Sequence, residues 1–126
     1  MIETPHHIER GAGPAVIFLH GIGGDGTSWL PELEALSGRC RAVAWDMPGY
    51  SGSPALPGMN FPALANALKD LLVKLGIERA HIVGHSIGGM VALEFAARFP
   101  DHVASLTLYA TSPAFGKADG DWQRTS

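Results

Sequence analysis

Apolar residues fall in short runs separated by glycine-rich or polar segments. Ala15-Val16-Ile17-Phe18-Leu19 is a continuous run with β-branched and aromatic residues, followed by glycines. That pattern predicts a strand buried on both faces. Arg41-Ala42-Val43-Ala44-Trp45 is a second run and ends at Asp46-Met47-Pro48-Gly49. His81-Ile82-Val83 is a third, and Val103 to Tyr109 a fourth.

Helical spacing lies between the runs. Trp29 to Leu36 predicts a short helix, with Thr27 or Ser28 as its N-cap and Gly38 beyond its end. Asn60 is placed to cap a second, with Pro62 in its first turn. Its leucines at 64, 68, 71, 72 and 75 share one helical face, which reads as core rather than a partner groove, and Gly76 closes it. A third helix is predicted from about Ile87 to Phe99, stopping before Pro100. Strands alternating with helices predict an α/β fold, a mostly parallel sheet with flanking helices and right-handed crossovers. Ligands of such sheets bind outside the carboxyl ends of the strands. His20-Gly21, Asp46-Met47-Pro48-Gly49 and Gly84-His85-Ser86 all follow strands.

Composition narrows the class. The chain has 126 residues, 46% of them hydrophobic and 17% charged, which is a globular balance for one domain. Sixteen glycines and nine prolines are spread between the runs, as turns require. The net charge of −3 offers no attraction for nucleic acid. The N-terminus lacks a basic segment followed by a long apolar one, and no run could span or anchor in a membrane. Cys40 stands alone, which points to a reducing, cytoplasmic setting. His6 and His7 are too few for a metal site, and no matching ligand spacing follows.

The candidate chemistry lies in Ile82-Val83-Gly84-His85-Ser86-Ile87-Gly88-Gly89, a G-x-S-x-G pattern between a predicted strand and a predicted helix. Alone the pattern is weak, and an ordinary strand-to-helix turn would satisfy it. Its context matches a nucleophile elbow. A serine hydroxyl attacks a carbonyl only if it projects freely and a base can reach it. A sharp turn lifts it above the sheet edge, and Gly84 and Gly88 must be small where strand and helix backbones approach. Ser86 is therefore the candidate nucleophile. The N–H of Ile87 starts a helix and can face a developing oxyanion. His20-Gly21-Ile22-Gly23-Gly24 ends the first strong strand and can supply a second donor, the N–H of Ile22. His85 adjoins the nucleophile, but neighbours at a sharp turn point apart, so it is expected to pack or hydrogen-bond. His20 is expected to orient the glycine loop, Asp46 to organise the Pro48-Gly49 turn, and Trp29 to form pocket wall or core.

On Leu19-His20-Gly21-Ile22-Gly23-Gly24, Trp29, Asp46-Met47-Pro48-Gly49-Tyr50-Ser51-Gly52-Ser53 and Gly84-His85-Ser86-Ile87-Gly88-Gly89, the chain resembles the α/β-hydrolase fold superfamily. The resemblance covers about residues 14 to 112 and looks closest to small esterases and enol-lactonases, with C–C bond hydrolases and cofactor-free haloperoxidases nearby. Serine at the elbow argues against haloalkane dehalogenases, which use aspartate there. The resemblance implies a serine hydrolase acting on an ester or lactone, with no cofactor. The same fold could also carry a non-catalytic binding or scaffold protein.

The family's order is nucleophile, acid, histidine. After Ser86 the only histidine is His102, next to Asp101 and expected at the far end of the sheet; Asp119 and Asp121 fall in a polar tail, residues 113–126, where a cap would begin. The first hairpin is reduced to Ile2 to Arg10. These features lead us to expect the N-terminal portion of a larger hydrolase, truncated before the cap and last strands. The strand from Val103 to Tyr109 would then present an edge to the remaining portion or to a second copy.

Overall fold

The computed structural model describes residues 4–49 and 60–110. Tyr50 to Ser53, Asp119, Asp121 and the 113–126 tail lie outside the described residues. Five strands form one sheet: β1 (His7–Arg10), β2 (Ala15–Leu19), β3 (Arg41–Trp45), β4 (Ala80–His85) and β5 (Val103–Tyr109). Their spatial order is β1-β3-β2-β4-β5. All neighbours are parallel except β1, which runs antiparallel to β3. The helices are α1 (Leu30–Leu36), α2 (Phe61–Lys74) and α3 (Ile87–Arg98).

The central runs alternate their side chains between two cores. Ile17, Leu19, Val43, Trp45 and Ile82 join Leu64, Leu68, Leu71 and Leu72 of α2 and Val91, Ala92 and Phe95 of α3. Phe18, Ala42 and Ala44 face the other way, onto Leu33 of α1. Burial on both faces explains why these strands are apolar throughout.

The ends of α2 follow local chemistry. The Asn60 side chain accepts from the Ala63 N–H at 2.8 Å. At the other end the Gly76 N–H reaches the Val73 carbonyl and the Ile77 N–H the Leu72 carbonyl, with Gly76 at φ 71°. This paired closure needs a left-handed residue, hence glycine.

One expectation is corrected. The cap before α1 is neither Thr27 nor Ser28. Asp25 caps a 3-10 turn over Gly26–Trp29, accepting from the Thr27 N–H, while the Ser28 hydroxyl accepts from the Asp25 N–H; α1 starts only at Leu30. An aspartate able to bond two residues onward outcompetes the hydroxyls nearer the helix. Of the reduced first hairpin expected over Ile2 to Arg10, the described residues hold one strand, β1. His7-Ile8-Glu9-Arg10 pairs with β3, bringing Glu9 to the Arg41 guanidinium.

The chain passes from β2 outward to β3, then returns across β2 to β4. Strand order therefore reverses between β2 and β4, the place where open α/β sheets bind ligands.

Candidate active site

Ser86 lies between the last residue of β4, His85, and the first of α3, Ile87. Its backbone adopts φ 56°, ψ −121°. A positive φ in a residue with a Cβ costs on the order of 1–3 kcal/mol and persists only where surroundings enforce it. Three features enforce it here. The Ser86 N–H donates to the Tyr109 carbonyl at 3.1 Å, and the Ser86 carbonyl accepts from the Gly89 N–H at 2.9 Å. A Cβ on Gly84 would lie 2.6 Å from Gly89 Cα, and one on Gly88 2.4 Å from the Leu19 carbonyl oxygen. Those approaches admit only glycine and set α3 directly against β4 and the end of β2.

The loop after β2 closes on the same point. Gly21 is buried, and a Cβ there would stand 3.0 Å from Ser86 Cβ and 2.9 Å from His85 Nδ1. The Gly24 N–H donates to the Gly21 carbonyl at 3.1 Å, with Gly23 at φ 82°. Such a turn takes glycine at its third position. Ile22 stands at its tip, 64% exposed.

His20 holds this loop. It is buried, and its Nε2 accepts from the Met47 N–H at 2.9 Å. Nδ1 must then carry the proton, which it donates to the Gly21 carbonyl at 2.9 Å. Both ring nitrogens are engaged, so His20 is not available as a base. Asp46 ties a third segment in: its Oδ1 accepts from the Gly26 N–H at 2.7 Å, a contact between β3 and the 3-10 turn that sequence reading did not anticipate.

Beside the elbow is an open cleft of about 390 Å³, walled by the Gly21–Gly24 loop, Trp29, Glu32 and His85. Trp29 packs on Phe18, ring centroids 4.8 Å apart. Its indole N–H is buried with no acceptor among the described residues. His85 packs on Tyr109 at 5.0 Å.

The other histidines stand away from Ser86. His81 is the second residue of β4, five residues before Ser86, or about 16 Å along an extended strand; its Nδ1 meets the Ser105 hydroxyl at 2.7 Å. His102 precedes β5 at the amino end of the sheet, where its Nδ1 donates to the Glu78 carbonyl at 2.8 Å. His6 and His7 lie at the β1 edge, three strand spacings from β4, about 14 Å. Asp101 shares the 3-10 turn with His102. Among the described residues no three His, Cys, Asp or Glu side chains are grouped to hold a metal ion. No described helix is long and apolar enough to cross a membrane.

Known proteins share this sequence pattern and fold. The chain is 41% identical, over 119 residues, to a dihydrolipoyllysine-residue acetyltransferase component of an acetoin cleaving system from Cupriavidus necator; the match covers 93% of this chain and 31% of that protein. It is 43% identical over 112 residues to a pimeloyl-[acyl-carrier protein] methyl ester esterase from Chromobacterium violaceum, covering 89% of this chain and 42% of the relative. The solved structure of a marine microorganism esterase superposes with a TM-score of 0.87 at 26% identity, covering 97% of this chain and 47% of that one. The chain thus spans less than half the length of each of these relatives. The family model of the alpha/beta hydrolase fold matches residues 14–124, and the chain belongs to that family.

Proposed function

We propose that Ser86 is the nucleophile of a hydrolase acting on carboxylic esters or lactones. Its hydroxyl oxygen attacks the acyl carbon, and the carbonyl electron pair moves onto oxygen. The backbone N–H groups of Ile22 and Ile87 receive that oxyanion. Collapse expels the alcohol, or opens the lactone ring, and leaves an acyl-serine that water hydrolyses.

The observation that carries the reading is the strained backbone of Ser86, φ 56°, held at the strand-order reversal with the Gly21 loop packed on it. A plain strand-to-helix turn has no use for that strain. The positions of the other histidines leave His85 alone beside Ser86, and His85 is packed on Tyr109 and Gly21. We therefore place the base and the acid outside the described residues. The solitary Cys40 fits a reducing, cytoplasmic compartment.

The test is prolonged exposure to a fluorophosphonate, with the modified residue mapped by mass spectrometry. The expected result is a label on Ser86, absent from Ser86→Ala. A label on another serine, or equal labelling of the variant, overturns the assignment.

A further inference from the structure

Among the described residues lining the cleft beside the elbow, Glu32 is the one carboxylate. It is exposed, and none of the described residues lining the cleft is lysine or arginine. Glu9 and Glu34 form ion pairs, whereas Glu32 has none among the described residues. Of the two histidines of the cleft, His20 has its Nε2 committed as acceptor of the Met47 N–H, and His85 packs on Tyr109. The Trp29 indole, backed by Phe18, lines the same cleft. The exposed Ile22 side chain adds apolar surface at the rim.

A carboxylate in the first turn of a helix has a simpler use, since it complements the amino end of α1. That explains an acid at this position of α1. It does not explain an aromatic wall in the same cleft, where no described lining residue is lysine or arginine. A carboxylate and an indole together suit an alkylammonium group: the carboxylate supplies counter-charge, and the ring attracts the cation through its quadrupole. An anionic group entering the same cleft meets repulsion from Glu32.

We propose that this cleft binds an alkylammonium group, and that the substrate part lying over the Gly21–Gly24 loop is cationic rather than anionic. The second clause rests on the reading of Ser86 as nucleophile; the first does not. Glu32 and Trp29 determine specificity here and take no part in bond making.

The probe is phenyltrimethylammonium, titrated into the isotope-labelled chain and followed by backbone and indole amide shifts, with benzoate as the anionic counterpart. The ammonium is expected to shift Gly23, Glu32 and the Trp29 indole, saturating in the millimolar range. Glu32→Gln should weaken it about three- to tenfold. Benzoate should leave these signals in place. Equal binding of benzoate, unchanged affinity in Glu32→Gln, or shifts confined to another surface would overturn the proposal. Should the variant fail to fold, the unsubstituted chain in high salt replaces it, and affinity must fall as the charge is screened. The readout is binding, not turnover, so its failure leaves Ser86 as nucleophile intact, and failure of Ser86 to react leaves this measurement valid.

Discussion

The backbone N–H of Ser86 donates to the carbonyl of Tyr109 at 3.1 Å, so the strained residue that follows β4 is tied to the last residue of the neighbouring strand β5. One residue earlier, His85 pairs with Tyr109 across the strands and their rings meet. Tyr109→Ala is expected to lower stability by about 0.5–1 kcal/mol, at the low end for an aromatic pair because Tyr109 is largely exposed. It should also speed hydrogen exchange at the Ser86 amide. Exchange at Ser86 unaffected by the substitution would show that the elbow is held from α3 alone.

Glycine positions separate by what a methyl would strike. Gly88→Ala drives a Cβ to within 2.5 Å of two carbonyl oxygens, Leu19 and His20, which are backbone atoms that cannot swing away. The expected loss is about 1–3 kcal/mol or more, read from urea unfolding midpoints. Gly38→Ala meets nothing within 4 Å and is expected to stay within about 0.5 kcal/mol of the parent. Equal effects at both positions would mean that α3 can shift away from β2.

His20→Ala leaves the Met47 N–H without its acceptor in a buried setting. Stranding that one donor costs about 1–3 kcal/mol. The loss should be accompanied by broadened amide signals from Gly21 to Gly24, because the bond that orients the Gly21 carbonyl goes with it. A loop spectrum unchanged in the variant would assign that orientation to the Gly24-to-Gly21 turn bond instead.

The 126-residue chain is expected to hydrolyse an activated aryl ester only feebly. Loss of the histidine alone removes near 10⁶ in turnover in a well-studied serine protease, while an oxyanion hole by itself retains roughly 10³–10⁴ over water. The measurement is initial rate against Ser86→Ala. Turnover typical of a full hydrolase, abolished by that substitution, would mean that a base within this chain serves Ser86.

β5 is expected to drive self-association. Val103-Ala104-Ser105-Leu106-Thr107-Leu108-Tyr109 is uncharged and free of proline, borders β4 alone among the described strands, and exposes Leu108 and Tyr109. Unpaired N–H and C=O groups on such an edge recruit another chain. Leu108→Lys should shift the chain toward monomer in size-exclusion chromatography with light scattering. A monodisperse monomer of the unsubstituted chain at tens of micromolar would show the edge to be protected.

What could be read without coordinates followed from local rules. The apolar runs at 15–19, 41–45 and 103–109 announced strands because both faces of a central strand, or its uncharged length, are written in consecutive residues. The leucine face of α2, the Asn60 cap and the Gly76 closure are each settled within one or two turns of chain, as was the turn that carries Ser86. β1 was not legible as a strand. His7-Ile8-Glu9-Arg10 contains a single aliphatic residue, and its pairing comes from β3, more than thirty residues away. Tertiary structure alone decided that β2 and β4 are neighbours, and hence that Gly21 meets Ser86, because strand order depends on which faces the helices must cover. It likewise decided that Met47 engages His20 and that Glu32 looks into the same cleft as Trp29. Hydrogen bonds and charges between segments distant in sequence leave no periodic trace along it; they exist only once the buried sheet has set those segments side by side.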